Sequence, residues 1–312
     1  MADGGFVLGQ EITDRFALYH ADCVHGLRLL PSRSVHYTVF SPPFASLYTY
    51  TNSPHDLGNV RSNSEFFSHF DYVIEQIERV MCRGRLVSFH CMNIPTSKEK
   101  HGYIGLQDFR GELIRAFQAR GFTFHSEVTV WKDPVQQMQR TKALGLLHKT
   151  VRENASMSRQ GCADFFVTMR TPGECVGEER VRHTAEDYPV SLWQRVASPV
   201  WMDIDPQDTL QYQSAREHDD ERHICPLQLE VIRRGIELWT NPGETVLSPF
   251  AGIGSEGHVA LGGATRAGVS LTPRRFVGFE LKESYYQQAV KNLRVAGARK
   301  QQSLFGDPWA LP

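Results

Sequence analysis

A short apolar strand, a glycine turn and a helix-compatible segment follow one another in Glu244-Thr-Val-Leu-Ser248-Pro-Phe-Ala-Gly252-Ile-Gly254-Ser-Glu-Gly257. The glycines at 252 and 254 let the backbone turn tightly and approach a ligand without interference from a Cβ atom. Ser255 is expected to cap the helix that follows. This order is typical of a nucleotide-binding βα turn in an α/β fold, although a Gly-x-Gly pair also occurs in many unrelated turns.

A second predicted strand, Arg275-Phe-Val-Gly-Phe-Glu280, ends in a carboxylate. In nucleotide-binding folds, an acidic residue at the end of the strand after the glycine turn binds the ribose. We therefore assign Glu280 to a ribose. A solvated charge at a strand end is the alternative for this residue taken by itself.

The tetrapeptide Ser41-Pro42-Pro43-Phe44 directly follows the apolar run 35–40. Proline has a fixed φ and no N–H, so the carbonyl groups here are not all used in sheet pairing and can accept hydrogen bonds from an amino group. Phe44 offers a ring on which a base can stack. A turn that closes a buried strand is the alternative, and the glycine turn in the same chain counts against it.

Together these motifs resemble those of the amino-methylating DNA methyltransferases, which use S-adenosylmethionine to methylate cytosine N4 or adenine N6. The family's catalytic tetrapeptide, (Ser/Asp/Asn)-Pro-Pro-(Tyr/Phe), is matched at 41–44, and its cofactor loop, Asp-Pro-Phe-x-Gly-x-Gly, at 248–254, where Ser248 replaces the aspartate. The catalytic motif precedes the cofactor loop, as in the permuted β group of this family. Similar permuted chains occur in bacteriophages.

The resemblance implies an α/β fold of the Rossmann-like, S-adenosylmethionine-dependent methyltransferase type. Such a fold has a mostly parallel seven-stranded sheet, flanked by helices, with an inserted target-recognition region. The chain then divides into a catalytic half at 1–131, a recognition insertion at 132–215 with a returning strand at 163–170, and a cofactor-binding half at 216–312. The sequence also predicts an amphipathic helix and turn over 70–85, and strands over 86–90 and 123–131.

Further cofactor contacts are implied by the resemblance. Asp22 corresponds to the family's acidic residue that contacts the adenine end of the cofactor, and the segment 221–228 resembles the one that packs around the methionine moiety. Glu256 is a candidate to replace the carboxylate missing at Ser248. The full cofactor-binding set is Asp22, His223, Pro226, Phe250, Gly252, Gly254, Ser255, Glu256 and Glu280.

Charge is segregated along the chain, although the formal net charge is only −1. The segment 132–160 has a net charge of +4, and the segment 203–221 has −6. Because neutralised phosphates supply much of the affinity for DNA, the first segment is a predicted DNA-binding face, with a solvated helix as the alternative. Trp193 and Trp201 belong either to a DNA-reading surface or to a small core. The cations are Lys132, Arg140, Lys142, Lys149, Arg152 and Arg159.

The composition of the chain indicates a globular protein and argues against membrane, secreted and metal-binding proteins. A chain of 312 residues with 41% hydrophobic content can bury a substantial core. No run reaches the length of a membrane span and no signal pattern opens the chain, so we expect a cytoplasmic protein of a bacterial or phage-infected cell, without a membrane partner. The six cysteines have no metal-ligand spacing, which predicts reduced thiols and no metal. Without a Pro-Cys dipeptide, the covalent cysteine mechanism of C5-cytosine methylation is not expected.

The predicted reaction methylates a base in double-stranded DNA. The lone pair of an exocyclic amine is delocalised into the ring, so the amine is a poor nucleophile. We expect Ser41 Oγ and the Pro42 carbonyl to accept hydrogen bonds from its two N–H groups. The base must be flipped out of the duplex, with Phe44 as the stacking surface. The segment 45–61 either closes over the base or is a plain surface loop; its candidate residues are Tyr48, Tyr50, Asp56 and Asn59.

Ser41 favours cytosine N4 as the target, because serine is typical of the cytosine enzymes in the family and aspartate of the adenine enzymes. Adenine N6 is the alternative target. Other functions left open are a catalytically silent S-adenosylmethionine-binding regulator, a nicotinamide-dependent oxidoreductase, and methylation of RNA or of a protein amide. The sequence does not distinguish a monomer from a homodimer, or an orphan enzyme from the partner of a separate restriction endonuclease.

Overall fold

The structure is a computed structural model that describes residues 7–43, 63–141, 143–176, 180–211 and 227–304. Within these ranges, the side chains at 100, 140, 141 and 299–304 are not described. The strands in chain order are β1 (Val7–Ile12), β2 (Phe16–Ala21), β3 (Val35–Phe40), β4 (Met81–Met92), β5 (Ile94–Thr96), β6 (Gly105–Gln107), β7 (Thr123–Val130), β8 (Asp164–Arg170), β9 (Val200–Trp201), β10 (Thr245–Ser248) and β11 (Arg275–Glu280).

Helices connect most of these strands. Two further 3₁₀ turns, at 144–146 and 155–157, flank α6. The α-helices are α1 (Cys23–Leu27), α2 (Asn63–Val80), α3 (Lys98–His101), α4 (Phe109–Ala119), α5 (Pro134–Thr141), α6 (His148–Glu153), α7 (Val190–Val196), α8 (Leu229–Trp239), α9 (Ser255–Ala260) and α10 (Glu283–Leu304). No helix in the described ranges has the length and apolar character needed to cross a membrane.

One large sheet organises the molecule, with the strand order β1-β2-β11-β10-β3-β4-β8-β7-β9. Its five central strands, in the order β2-β11-β10-β3-β4, are all parallel. Strands β1 and β8 are antiparallel to their neighbours, and β9 pairs in parallel with β7. The predicted α/β fold is confirmed. The predicted number of seven strands is wrong for this sheet, because the hairpin strand β1 and the two-residue strand β9 extend it at its two edges.

Helices cover both faces of the sheet because its central strands carry apolar side chains on both faces. On one face, α2 and α4 contribute Phe66, Phe70 and Phe117 to a buried cluster with β3 and β4. On the other face, α8, α9 and α10 pack over β10 and β11, with Ile232 and Leu293 fully buried. Continuous apolar strands under helices on both sides are what a parallel sheet requires.

The turn predicted at residues 81–85 is not present. We expected a turn after the amphipathic helix, but α2 ends at Val80 and β4 begins at once with Met81. The pairing between β3 and β4 shifts register between Val35 and Tyr37, and Gly84 has a φ of +67°. Ser34 N–H donates to the carbonyl of Val80, so the helix end is satisfied without a separate turn. A bulged strand therefore replaces the predicted turn.

The predicted recognition insertion contributes strands to the main sheet. The predicted strands at 123–131 and 163–170 are present as β7 and β8, and β8 lies between β4 and β7. Trp201, on β9, is 3% exposed and belongs to the core, whereas Trp193, on α7, is 55% exposed. The small-core interpretation is therefore correct for Trp201 only.

Candidate active site

The predicted catalytic and cofactor motifs meet at one edge of the sheet. Strands β3 and β10 are parallel neighbours, with Leu247 opposite Thr38, so Ser41 and Ser248 both follow at their carboxyl ends. Asp22 follows β2, and Glu280 ends β11, in the same parallel block. Because carboxyl ends of parallel strands share an edge, this carboxyl edge joins motifs some two hundred residues apart, where ligands bind in open α/β sheets.

The glycine turn has the backbone conformation that its sequence predicts. Gly252 and Gly254 have φ values of +53° and +86°, in the left-handed region that favours glycine. A Cβ atom on Gly252 would meet no atom within 4 Å, so this side of the turn is open. The N–H of Gly252 donates to Glu280 Oε2 at 2.8 Å, which ties the turn to the end of β11.

A third glycine in this segment has a packing role that the sequence analysis missed. A Cβ atom on Gly257 would lie 2.6 Å from Leu293 Cδ2 and 2.7 Å from the Phe276 ring. Glycine therefore lets α9 pack closely on β11 and α10. The Gly-x-Gly-x-x-Gly spacing of 252, 254 and 257 was the signal for it, since the third glycine of such a turn serves helix–strand packing.

Ser255 does not cap the helix, so that prediction is wrong. Helix α9 begins at Ser255 itself, its N-cap residue is Gly254, and no side-chain capping bond is formed. The reason is the left-handed conformation of Gly254, which places the start of the helix one residue earlier than the sequence suggested.

Two carboxylates predicted to bind the cofactor are held by backbone groups. Glu280 Oε1 accepts from the N–H of Lys282 at 2.8 Å, in addition to the bond from Gly252. Asp22 Oδ1 accepts from the N–H of His25 at 3.1 Å and lies 2.8 Å from its Nδ1, which caps α1. Burial, with the charges of Asp22 and Glu280, raises the pKa of the Cys23 thiol well above its usual value. The charges of Asp22 and Glu280 thus both act on Cys23, at the start of α1.

Glu256 lies in the first turn of α9 and is 5% exposed. Burial raises the pKa of Glu256 to about 8, and the charge of Glu280 acts in the same direction. The carboxyl group is therefore largely protonated at neutral pH and can donate a hydrogen bond. Ser248 is fully buried, and its Oγ has no hydrogen-bond partner within the described ranges. Whether Glu256 replaces the missing carboxylate stays a prediction.

Phe250 packs beneath the carboxyl edge. Its ring centroid lies 5.7 Å from that of Phe40 on β3 and 6.3 Å from that of Phe70 on α2. Aromatic contacts at these distances stabilise the packing of one segment on another. Phe250 therefore anchors the glycine turn to the strand that precedes Ser41, and a direct contact with the cofactor stays a prediction.

Ser41 begins a chain of polar contacts that spans four neighbouring strands, β3, β4, β8 and β7. Its Oγ lies 3.2 Å from His90 Nδ1 on β4. The Nε2 atom of the same ring lies 3.0 Å from Asp164 Oδ2 at the start of β8, an ion-pair distance at which the two groups are not aligned for a hydrogen bond. Lys132 Nζ, just after β7, lies 2.5 Å from that carboxylate oxygen. We call Ser41, His90, Asp164 and Lys132 the polar chain.

Asp164 is the buried anion of the polar chain, with a side chain only 3% exposed. Burial by itself would raise its pKa, but the contacts with His90 and Lys132 outweigh burial and lower the pKa of Asp164 to about 2. The sequence motifs do not predict a role for His90 or Asp164. A polar residue near the carboxyl end of the strand beside the catalytic one was the available signal for His90.

The predicted DNA-binding face is a connection at the same edge. Strand β7 runs in the same direction as β4, because each is antiparallel to β8, so residues 131–163 leave and re-enter the sheet at the carboxyl edge. On α6, Lys149 is exposed and contacts Glu153 at 3.5 Å, and Arg152 is also exposed. Arg159 donates to the Gln160 carbonyl at 3.1 Å. DNA contacts of these side chains stay a prediction.

Lys132 differs from the other predicted DNA-binding residues, since its ammonium group pairs with the buried Asp164 and its side chain is 23% exposed. Several predicted residues are not covered by the structure. The side chain of Arg140 is not described, and the following lie outside the described residues: Phe44, the segment 45–61 with Tyr48, Tyr50, Asp56 and Asn59, Lys142, His223 and Pro226. Pro42 is buried and Pro43 half-buried, directly after β3.

A family of DNA methylases, N6_N4_Mtase, matches residues 35–291, which include both the Ser41 motif and the glycine turn. The chain belongs to this family. Its members are DNA methylases, and the resemblance inferred from the two motifs is confirmed at that level.

Individual proteins resemble this chain in sequence or in fold. YubD of Escherichia coli (strain K12) is 33% identical over 101 residues, which are 32% of this chain and 38% of the length of YubD. TTHA0409 of Thermus thermophilus, solved in complex with S-adenosyl-L-methionine, has a TM-score of 0.65 at 18% identity, over 91% of this chain and 94% of its own. The PvuII DNA methyltransferase (cytosine-N4-specific) has a TM-score of 0.61 at 16% identity, over 95% and 94%.

Proposed function

We propose that this DNA methylase transfers a methyl group from S-adenosylmethionine to N4 of a flipped cytosine in double-stranded DNA. The observation that carries the proposal is the pairing of β3 with β10, which sets Ser41 beside the cofactor turn at one edge of the sheet. The order of the two motifs along the chain supports placing it in the permuted β group.

The residues at the carboxyl edge fit the proposed cofactor. The open side of Gly252 leaves room for close approach of a ligand to the backbone. Glu280 and Asp22 are oriented by backbone donors, and because a carboxylate accepts several hydrogen bonds they are assigned to the ribose hydroxyls and the adenine end, respectively. When bound, S-adenosylmethionine supplies a methyl group already activated by its sulfonium.

The role of Ser41 and Pro42 is to hold the target amine. An exocyclic amine is a poor nucleophile because its lone pair is delocalised into the ring. Acceptors on both N–H bonds favour a pyramidal nitrogen, and the Ser41 Oγ atom and the Pro42 carbonyl supply them. Since the methyl donor is already activated, positioning of the amine is the main contribution of the protein.

Base flipping is part of the proposal, because the amine cannot be reached inside a duplex. Phe44 is assigned as the stacking surface for the extruded base. The connection 131–163 is assigned as the recognition segment within the region 132–215, since it emerges at the edge that carries Ser41. Its exposed cations Lys149 and Arg152 are then available to contact phosphates.

The test is incubation of the full chain with methyl-labelled S-adenosylmethionine and unmodified duplex DNA, followed by mass spectrometry of the nucleosides. Labelled N4-methylcytosine is expected, and Ser41→Ala should lower its formation by at least about tenfold. The matched control is Ser68→Ala, a serine on the exposed side of α2. N6-methyladenine instead of N4-methylcytosine would contradict the assigned base, and no labelled nucleoside from DNA of varied sequence would contradict the assigned reaction.

A further inference from the structure

The polar chain raises the question of which atom holds each proton. A neutral imidazole has one donor nitrogen and one acceptor nitrogen, and its hydrogen-bond partners decide which is which. Here Nδ1 of His90 faces the Ser41 hydroxyl at 3.2 Å, and Nε2 faces Asp164 at 3.0 Å. A hydroxyl can donate or accept, whereas a carboxylate can only accept. Asp164 is therefore the partner that determines the tautomer.

The charges in the polar chain favour a neutral imidazole. Lys132 Nζ lies 2.5 Å from the Asp164 oxygen that also faces His90, so one full positive charge already balances the buried carboxylate. A second positive charge on His90 would have to be desolvated beside this pair, since the ring is itself mostly buried. A neutral ring that carries its proton on Nε2, on the side of the Asp164 carboxylate, leaves Nδ1 as an acceptor.

We propose that His90 is a positioning residue, which Asp164 holds in the Nε2–H tautomer so that Nδ1 accepts the hydroxyl proton of Ser41. The hydroxyl proton then points toward β4, and both lone pairs of the Ser41 Oγ atom remain for the N–H of the target amine. A serine without such a partner rotates freely and presents its proton to the amine for part of the time. This inference rests on the proposed function, because it explains how Ser41 acts as an acceptor.

A single substitution at Asp164 should move the imidazole proton of His90 from Nε2 to Nδ1. In Asp164→Asn, the amide can donate an N–H to Nε2, which moves the imidazole proton to Nδ1. Nδ1–H would then occupy a lone pair of the Ser41 Oγ atom and turn the hydroxyl proton outward. The shape of the side chain at 164 is nearly unchanged, so this variant separates the direction of the hydrogen bonds from the packing. An analogous replacement in serine proteases fixes the wrong tautomer and lowers kcat.

The first experiment is ¹⁵N NMR of the full chain with labelled histidine. The chain has 13 histidines, and His90→Asn identifies the His90 signal by its loss. We expect Nε2–H in the wild type and Nδ1–H in Asp164→Asn. Lys132→Met is the charge control: it removes the cation that balances Asp164, so Nε2 should keep its proton and a second proton on Nδ1 should be favoured. An Nδ1–H tautomer in the wild type would overturn the proposal.

The second experiment compares His90→Asn with His90→Leu, which have nearly the same shape. Asparagine retains an oxygen acceptor close to the position of Nδ1, whereas leucine has none. We expect the leucine variant to lose at least about tenfold in kcat, with the KM for S-adenosylmethionine unchanged, and the asparagine variant to keep most of the wild-type kcat. Equal losses in both variants, at equal melting temperature, would mean that His90 only fills space and would overturn the proposal.

The two experiments separate this inference from the proposed function. A wild-type protein that methylates no DNA, but holds His90 as Nε2–H with a Ser41-dependent Nδ1 signal, would contradict only the reaction. A wild-type protein that methylates cytosine, but whose Nδ1 signal is unchanged in Ser41→Ala, would contradict only the role of His90.

Discussion

Replacement of Gly257 by alanine tests whether the third glycine of the cofactor turn sets the distance between α9 and its neighbours. The added Cβ would lie 2.6 Å from Leu293 Cδ2 and 2.7 Å from the Phe276 ring. Contacts below 3.0 Å force one partner to move. Both partners are fully buried in the same cluster, so neither can move into solvent.

The magnitude follows from two opposing effects. Overpacking a dense core costs about 1–3 kcal/mol, whereas alanine in place of glycine within a helix contributes roughly 0.5–1 kcal/mol of stability. We therefore expect Gly257→Ala to lower the free energy of unfolding by about 1–2 kcal/mol. Because α9 begins at the cofactor turn, a displaced helix should also weaken S-adenosylmethionine binding.

The assay is urea denaturation of the wild type, Gly257→Ala and Gly297→Ala, together with titration of S-adenosylmethionine. Gly297 is the matched control, since it also lies in a helix but a Cβ there would meet no atom within 4 Å. Gly297→Ala should be neutral or stabilising by up to about 1 kcal/mol. If Gly257→Ala were as stable as Gly297→Ala, the packing argument for this glycine would be refuted.

Three further predictions concern carboxylates, with Glu153→Gln as a shared control, because Glu153 is exposed and its pair with Lys149 should contribute about 0–1 kcal/mol. Glu244→Gln should destabilise the fold by about 3 kcal/mol in urea denaturation, since it leaves the buried Arg85 guanidinium without its carboxylate partner; a loss below 1 kcal/mol would contradict this. Glu256 has a pKa of about 8 in the folded protein against an ordinary value of 4.5, so its contribution to stability is complete below pH 4.5 and is lost as the pH rises to about 8. Stability measured across this range should therefore fall less steeply in Glu256→Gln, and unchanged S-adenosylmethionine affinity in that variant would remove Glu256 from the cofactor site. Glu280→Gln should weaken S-adenosylmethionine binding by roughly tenfold, because a charge-assisted hydrogen bond contributes about 1.5–3 kcal/mol; unchanged affinity would refute the ribose assignment.

Local sequence predicted the elements whose causes are local. The apolar run before Ser41 became β3, and the run before Ser248 became β10, because hydrophobic side chains on both faces require a buried strand. Gly252 and Gly254 have positive φ values, which glycine adopts without strain because it has no Cβ atom. The family assignment rests on these same motifs.

Local sequence was misleading where a neighbour in space changed the outcome. Residues 81–85 resemble a turn, but their pairing with β3 makes them a bulged strand. Ser255 resembles a cap, but the left-handed Gly254 starts the helix before it can act as one. Lys132 resembles a phosphate-binding cation; its ammonium group pairs with the buried Asp164 on the next strand, and a phosphate contact of this side chain stays a prediction.

The amino-acid sequence on its own therefore determined the fold class, the Ser-Pro-Pro-Phe motif, the glycine turn and the family, since each depends on residues adjacent in the chain. The tertiary structure alone determined the polar chain from Ser41 through His90 and Asp164 to Lys132, whose members lie on or just after four different strands. Its geometry depends on the strand order β3-β4-β8-β7, and strand order is set by how the helices and loops pack the sheet rather than by any local run of residues.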